Sequence, residues 1–192
     1  MKDTTIGFAI TGSFCTFSTV LDVLKSLKNE VKRIIPIFSF NVASQDTRFY
    51  SAKNFREEIV DITGAEPVDT LQKAEPLGPS GLIDVMVVAP CTGNTLAKLA
   101  NAITDTPVLM AVKSQLRNNK PVVIAISTND ALGLNLKNIG TLLLSKNIYI
   151  VPFKQDNPVD KPNSLASDYT LIGKAIMEAK KGIQLQPVVI AK

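Results

Sequence analysis

The sequence contains no histidine, the side chain whose unperturbed pKa lies closest to neutral pH. Serine–histidine and cysteine–histidine catalysis are therefore excluded, and any acid–base step must use carboxylates, lysine, tyrosine, cysteine, a cofactor or water. There are only two cysteines, Cys15 and Cys91, and no Cys-x-x-Cys pair. Two such cysteines supply neither a disulfide framework nor a structural zinc site, so we predict no metal.

Long apolar runs are missing as well. No stretch approaches the roughly 18 uninterrupted apolar residues that indicate a membrane-spanning helix. Lys2 and Asp3 precede a run that is typical of a first strand rather than of a signal peptide, which predicts a cytoplasmic protein without a membrane partner. The net charge is only +4 and the basic residues are scattered, a balance that slightly favours an anionic small ligand and offers no nucleic-acid motif.

The chain is organised around residues 83–105. A valine-rich apolar run between Gly81 and Pro90 predicts a strand buried on both faces of a parallel sheet. A helix is predicted next, because four apolar residues recur at helical spacing. These are Leu96, Leu99, Ala100 and Ile103. The turn between strand and helix, residues 90–95, lies at the carboxyl end of a strand, where open α/β sheets bind ligands and free N–H groups attract anions.

A similar turn follows the predicted first strand, residues 5–11. Gly12, Ser13 and Phe14 lead into a helix that is expected to end near Lys28. This turn is either a phosphate cradle, since glycine lets the backbone approach a ligand, or a plain helix cap without a ligand. The residues alone leave both alternatives open, because a full Gly-x-Gly-x-x-Gly motif is absent.

The predicted second strand, residues 31–40, ends in a polar loop that begins with Ser39. Arg48 follows this loop, and its planar guanidinium suits bidentate binding of a phosphate or carboxylate. The alternative for Arg48 is an exposed arginine at a helix start.

A further buried strand, residues 121–126, delivers Ser127, Asn129 and Asp130 to the same edge of the sheet. These side chains either contact a substrate or cap the following helix, predicted at residues 135–146, and both roles are compatible.

Alternation of strands and helices predicts the fold class: α/β, a three-layer doubly wound parallel sheet of five strands, flavodoxin/Rossmann-like, in a single domain of residues 1–192. The last strand is predicted at residues 148–153. A closing helix is predicted at residues 164–181, capped by Ser164. The apolar tail, residues 183–192, is predicted to pack on another subunit of a homo-oligomer.

The turn at residues 89–95, with residues 97–101 and Asp105, resembles the flavin-binding signature of the FMN-dependent cysteine decarboxylase superfamily, a flavodoxin-like group of trimers and dodecamers. The Gly12 turn fits the first phosphate loop of that group, and Ser39 fits its hydroxyl after the second strand. The resemblance implies FMN as cofactor. The implied cofactor-binding residues are Gly12, Ser13, Phe14, Ser39, Pro90, Thr92, Gly93, Asn94 and Thr95.

Five other runs are similar to the B-subunit family of dipicolinate synthases from spore-forming bacteria. They are residues 74–79, 92–105, 117–119, 126–135 and 161–164, and together with the rest of the match they span most of the chain. The Ser-Thr-Asn-Asp-Ala-Leu-Gly run at residues 127–133 is the specific part of this resemblance. The resemblance implies a partner, the A subunit of dipicolinate synthase, which binds NADP. It also implies oxidation of a small dicarboxylate, dihydrodipicolinate, to pyridine-2,6-dicarboxylate in the mother cell of a sporulating bacterium.

Two departures from the wider superfamily matter. Its decarboxylases use a histidine, which this sequence lacks, and their Pro-x-Met-Asn clamp appears here as residues 126–129 with only Asn129 retained. Oxidative decarboxylation of a cysteine conjugate is therefore disfavoured, while flavin binding is still expected.

The leading hypothesis is an oxidoreductase component that needs the A subunit for activity. Arg48, Ser127 and Asn129 are expected to bind substrate, and Asn129, Asp130 and Lys98 to serve catalysis. The proton lost on aromatisation is expected to go to water or Asp130. One alternative is a noncatalytic partner that completes or stabilises the A subunit, and another is an orphan FMN-binding flavoprotein resembling the decarboxylases.

Overall fold

A computed structural model describes residues 1–191 of the chain. The strands are β1 (Thr5–Ile10), β2 (Arg33–Phe38), β3 (Val85–Cys91), β4 (Val122–Thr128), β5 (Ile148–Ile150), β6 (Phe153–Gln155) and β7 (Leu165–Ser167). The α-helices are α1 (Phe17–Lys28), α2 (Phe40–Ser44), α3 (Ala52–Thr63), α4 (Leu71–Ala74), α5 (Leu77–Ser80), α6 (Gly93–Ala100), α7 (Pro107–Arg117), α8 (Leu136–Leu143) and α9 (Ile172–Lys180). Short 3-10 helices, Phe14–Thr16 and Tyr169–Leu171, precede α1 and α9. Among these elements no helix is long and apolar enough to cross a bilayer.

The first five strands form one parallel sheet in the order β2-β1-β3-β4-β5. This order confirms the predicted doubly wound fold of flavodoxin type. Because the chain runs from β1 outward to β2 and then returns to β3 on the other side, the turns after β1 and β3 diverge and leave a crevice at the carboxyl edge of the sheet.

Both faces of the sheet are covered by helices, which explains why its strands are nearly continuously apolar. Ile6, Phe8 and Ile10 of β1 face one core together with residues of α1, α3 and α9. Met86 and Val88 of β3 face the second core, against α7 and α8. These two cores make the three layers that the sequence predicts.

The predicted closing helix at residues 164–181 is wrong in its first part. Leu165–Ser167 is strand β7, which pairs antiparallel with the end of β4 and with β6. Ser164 caps no helix, and its hydroxyl donates to the carbonyl of Thr128 at 3.3 Å. Asp168 takes the capping role instead, accepting from the Thr170 amide at 3.0 Å. The sheet therefore has seven strands rather than five, the last two forming an antiparallel hairpin.

The helix predicted in the second half of residues 83–105 is shorter than expected. It ends at Ala100, and Ala102 has a positive φ of 56°, a conformation that cannot continue a right-handed helix. Ile103, expected on the buried stripe, is consequently 44% exposed.

The tail after α9 lies against its own subunit at residues 184–190. The Gln184 carboxamide accepts from the Ile150 amide at 2.8 Å and donates to the Ile150 carbonyl at 2.7 Å, so it substitutes for a neighbouring strand. Val189 forms a bridge with Phe153 yet remains 64% exposed. The predicted packing of the tail on another subunit stays a prediction, and Ile183 and Val189 are exposed apolar side chains available for it.

Asp69 links α3 to α4 and gives the fold a pH dependence. Burial alone would raise the pKa of Asp69, but hydrogen bonds from Lys73 and Arg56 outweigh it and hold that pKa below its usual value. A carboxyl with a depressed folded pKa stabilises the fold above its unfolded pKa, and that contribution is lost as the pH falls. We expect Asp69→Asn to lower the free energy of unfolding at pH 7, and the difference from wild type to shrink below about pH 4.

Urea unfolding at pH 7 and pH 3 measures this effect. Asp22→Asn is the matched control, because the Asp22 carboxylate is 79% exposed and lies 3.9 Å from Lys25. Equal losses for the Asp69 variant at both pH values would contradict the ion-pair assignment.

Candidate functional site

A cavity of about 720 Å³ opens at the carboxyl ends of β1, β3 and β4. Its lining residues are Gly12, Ser13, Phe14, Cys15, Thr16, Arg48, Phe49, Thr92, Gly93, Asn94, Ser127, Thr128, Asn129, Asp130, Asp156, Lys161, Ser164, Leu165 and Ala166. Residues from the turns after β1, β3 and β4 thus meet around one space, as expected for the carboxyl edge of a parallel sheet.

Thr11 joins the turn after β1 to the turn after β3. Its hydroxyl donates to the Pro90 carbonyl at 2.7 Å and accepts from the Thr92 amide at 3.1 Å. Thr11 is buried, so these bonds are shielded from water. They hold Gly12 and Asn94 on the same side of the molecule, facing the same cavity.

Gly93 starts helix α6 in a position that leaves no room for a side chain. A Cβ there would lie 2.6 Å from the Asn135 Nδ2, 2.6 Å from the Thr128 Oγ1 and 2.7 Å from an Asp130 carboxylate oxygen. The preceding Thr92 caps the helix by accepting from the Thr95 amide. Glycine is therefore required because the polar turn after β4 packs directly on the start of α6.

The Asp130 carboxylate is held in one orientation by two donors. The Thr128 hydroxyl donates to one oxygen at 2.5 Å, and the Asn135 carboxamide donates to the other at 2.7 Å. Asn135 is itself buried and accepts from Asn138 at 2.8 Å. The Asp130 side chain thus bonds to side chains rather than capping α8 through its amides, which leaves it facing the cavity.

Hydroxyl groups form part of the cavity wall, and we call Ser13, Thr16 and Ser127 the hydroxyl floor. The Ser13 and Ser127 oxygens lie 2.8 Å apart, within hydrogen-bond distance. Thr16 donates to the Ser13 carbonyl at 2.7 Å. The Ser13 side chain makes no capping bond to its own helix. Its hydroxyl therefore faces Ser127 and the cavity, which departs from the plain-cap alternative.

Two cations reach the cavity. The Arg48 guanidinium stacks over the Phe49 ring at 4.8 Å and makes no salt bridge to any acid within residues 1–191. The Lys161 ammonium lies 3.8 Å from Asp156 and is 60% exposed. Both are able to approach an anion in the cavity. Neither Lys161 nor Asp156 was expected at the site from the sequence.

Four residues predicted for the site do not line the cavity. Pro90 and Thr95 lie beneath it, and Thr95 is 7% exposed. Ser39 also lies outside, but its hydroxyl is shielded from solvent and has no hydrogen-bond partner among the described residues. The Lys98 ammonium donates to Asp105 at 2.6 Å, so the structure directs its charge to an ion pair instead of the cavity. The other predicted site residues all face the common space.

The two thiols differ sharply in environment. Cys91 is fully buried at the end of β3, and burial raises the pKa of its thiol well above its usual range. Cys15 is exposed on the cavity wall. No cluster of three or more potential ligands from histidine, cysteine and carboxylate side chains exists in residues 1–191 that is arranged to hold a metal.

Comparison with known proteins identifies the family. Residues 1–182 match the family model described as Flavoprotein. The chain is 48% identical over 190 residues, 99% of its length and 95% of the relative, to the B subunit of dipicolinate synthase of Bacillus subtilis (strain 168). The crystal structure of the dipicolinate synthase B subunit from Bacillus halodurans C has a TM-score of 0.91 and 46% identity, with 100% of each chain covered.

A more distant solved structure has the same fold. The FMN-dependent cysteine decarboxylase SpaF has a TM-score of 0.67 at 20% identity, covering 92% of this chain and 97% of its own. The resemblance predicted from the turn at residues 89–95 and from the 127–133 run is therefore confirmed at the level of the family. The chain belongs to the Flavoprotein family and, within it, to the dipicolinate synthase B subunits.

Proposed function

We propose that this chain acts with the A subunit of dipicolinate synthase to oxidise dihydrodipicolinate to dipicolinate, as the B component of an oxidoreductase in the cytoplasm of a sporulating mother cell. In this proposal the A subunit contributes NADP, and this chain forms a homo-oligomer with FMN as its own cofactor. Support comes from the full-length similarity to proteins that carry the name of the dipicolinate synthase B subunit.

One observation carries the proposal: the cavity combines donors and two cations suited to a ring with two carboxylates. Arg48 has no competing carboxylate within the described residues, and its planar fork suits one carboxylate. Lys161 and the Asn129 carboxamide offer donors for the other. Two carboxylates, Asp130 and Asp156, also line the cavity, so the match to a doubly anionic small molecule rests on the placement of these donors and not on a net positive charge.

The chain also offers groups that fit a flavin phosphate. Phosphates bind to hydroxyls and backbone N–H groups at turns that carry little side-chain bulk. The Ser39 hydroxyl is buried without a partner among residues 1–191, and Gly12 keeps its turn free of a side chain. A Cβ at Gly12 would lie 3.4 Å from the Phe14 ring and 3.8 Å from the Asn41 Cβ. FMN, when bound, supplies a hydride acceptor.

Aromatisation of the dihydropyridine ring removes a hydride and a proton. Asn129 directly, and Ser127 through the Ser13 hydroxyl 2.8 Å away, are proposed to orient the ring through its carboxylates, and Asp130 or water to take the proton. Both Asp130 oxygens accept hydrogen bonds, from Thr128 and Asn135, and each oxygen retains a lone pair for a proton. Lys98 is left out of this mechanism because its ammonium is paired with Asp105.

A titration with FMN tests the cofactor part of the proposal. We expect the purified protein to bind FMN, and Ser39→Ala to weaken FMN binding by about 10- to 150-fold, the equivalent of one hydrogen bond to a charged group. Riboflavin, which lacks the phosphate, should bind both proteins equally. Ser44→Ala is the control, since the exposed Ser44 hydroxyl only donates to the Phe40 carbonyl of its own helix. If the purified protein is colourless and binds no added FMN, the proposal that FMN is its cofactor is wrong.

Reconstitution with the A subunit tests the catalytic part. Turnover of dihydrodipicolinate is expected only when both proteins are present, and to decrease when Arg48 or Asn129 is replaced by alanine. Full turnover by the isolated A subunit would leave this chain an accessory role in stabilising its partner.

A further inference from the structure

Tyr169 lies behind the hydroxyl floor and outside the cavity lining. It is the first residue of the 3-10 helix Tyr169–Leu171, directly after β7, and is 8% exposed. Its phenolic hydroxyl is shielded from solvent and has no hydrogen-bond partner of ordinary geometry among residues 1–191. Buried tyrosine hydroxyls are normally paired, because an unpaired one costs free energy. This orphaned hydroxyl therefore calls for a functional explanation.

The polar neighbours of the Tyr169 hydroxyl, Thr16 and Ser127, belong to the hydroxyl floor. Burial raises the pKa of Tyr169 well above its usual range, and the neighbouring hydroxyls of Thr16 and Ser127 offset part of that rise. The raised pKa means that the phenol keeps its proton near neutral pH and is able to donate it. Thr16 already directs its own proton to the Ser13 carbonyl. The oxygens of Thr16 and Ser127 both keep lone pairs that are able to accept from the phenol, but only Ser127 belongs to the hydroxyl pair that leads through Ser13 to the cavity.

Hydrogen-bond counting shows what a donor at this position does. Ser13 and Ser127 lie 2.8 Å apart, so one of them donates to the other. If an oxyanion in the cavity accepts from Ser13, then Ser127 must donate to Ser13, and the Ser127 oxygen is left needing a donor. Tyr169 is placed to supply it. All three protons then run in one direction, towards the cavity, and a chain of this kind is strengthened by mutual polarisation.

We propose that Tyr169 is a positioning residue that donates to Ser127, so that the Ser127 hydroxyl donates to Ser13 and the Ser13 hydroxyl donates to an oxyanion, a phosphate or a carboxylate, bound in the cavity. The proposal rests on the proposed function only in requiring such an anionic ligand. It also accounts for the orphaned hydroxyl, which is unpaired in the free protein and gains an acceptor when the ligand fixes the direction of the hydrogen-bond chain.

Tyr169→Phe tests the proposal, because it removes the hydroxyl and retains the buried ring. The probes are FMN, riboflavin and pyridine-2,6-dicarboxylate, with Kd measured by titration calorimetry. Affinity for the anion at the floor is expected to fall about 2- to 12-fold, the factor that corresponds to one neutral hydrogen bond. If the variant loses affinity for FMN but not for riboflavin, the anion at the hydroxyl floor is the phosphate of FMN. If it loses affinity for pyridine-2,6-dicarboxylate, the anion there is a carboxylate. The Tm of the free variant should equal or exceed that of wild type, since an unpaired buried hydroxyl is removed.

A double-mutant cycle separates positioning from a general structural effect. Because Tyr169 acts through Ser127, adding Tyr169→Phe to Ser127→Ala should cause no further loss of affinity. Tyr149→Phe is the matched control, since Tyr149 lies on β5 and does not line the cavity.

Several outcomes would overturn the inference. Unchanged affinity of Tyr169→Phe for both anions, or a full additional loss in the Ser127→Ala background, would refute the role of Tyr169 while leaving the proposed function intact. Wild-type protein that binds neither FMN nor the dicarboxylate would refute both. A lowered Tm for free Tyr169→Phe would show that the hydroxyl is already paired and serves stability.

Discussion

Gly93→Ala is expected to abolish binding of FMN and of pyridine-2,6-dicarboxylate and to lower the free energy of unfolding by about 1–3 kcal/mol, the usual cost of overpacking. The added Cβ would lie 2.6 Å from both the Asn135 Nδ2 and the Thr128 Oγ1. Those atoms are the two donors that hold Asp130. The turn after β4 must move away from α6, and the cavity loses the orientation of the groups that line it.

Gly140→Ala is the matched control for this substitution. Gly140 lies inside helix α8, and a Cβ there would have no atom within 4 Å. Alanine should therefore stabilise that helix by about 0.5–1 kcal/mol and leave ligand binding unchanged. Urea unfolding and calorimetric titration of both variants measure the two effects. Ligand binding by Gly93→Ala at wild-type affinity would show that the packing of the β4 turn on α6 does not shape the site.

The strands of the parallel sheet were predictable because each of them is recognisable from its own residues. Strands buried on both faces are nearly uninterrupted apolar runs, so β1, β3 and β4 are evident from composition alone. Glycines and polar residues then mark the turns at their carboxyl ends. The convergence of Gly12, Asn94 and Ser127 follows from topology, since parallel strands place those turns on the same edge.

The antiparallel hairpin was not predictable in this way. Leu165–Ser167 is a three-residue strand, and its neighbours in sequence have a pattern compatible with a helix. Its partner on β4, Ser127, is distant in sequence, and the pairings with β4 and β6 make the segment a strand. Tertiary pairing thus overrides local propensity at this point.

Because the β7 segment was predicted as part of a helix, the sequence analysis also missed one wall of the cavity. Lys161 and Asp156 lie in a proline-rich loop, and they reach the cavity only because β6 and β7 fold back over the end of β4. Tyr169 falls within the helix predicted at residues 164–181, and the sequence analysis did not single it out. One sequence signal was available for this wall. A polar loop follows the last predicted strand, residues 148–153, and that strand ends at the same edge of the sheet as the cavity.

Ser167 secures this hairpin at the place where β4 changes partners. Strand β4 pairs with β5 up to Ile124 and with β7 from Ser127 onward, so the Ile126 amide falls between two ladders. The Ser167 hydroxyl accepts from that amide at 2.8 Å and donates to the Val151 carbonyl at 3.0 Å. All of these groups are buried, and the backbone there has no water to replace the side chain.

Ser167→Ala is expected to lower the free energy of unfolding by about 2–6 kcal/mol, because it leaves two buried backbone groups unpaired at roughly 1–3 kcal/mol each. Loosening of β7 should also weaken ligand binding, since Leu165 and Ala166 line the cavity. Ser145→Ala is the control: its hydroxyl donates to the Thr141 carbonyl within α8 and its flanking turn, where water is available, so the loss should stay near 0.5 kcal/mol or less. Chemical denaturation of both variants gives the comparison. Equal losses would mean that the junction between β4, β5 and β7 does not depend on Ser167, and that the hairpin holds the cavity wall through its strand pairing alone.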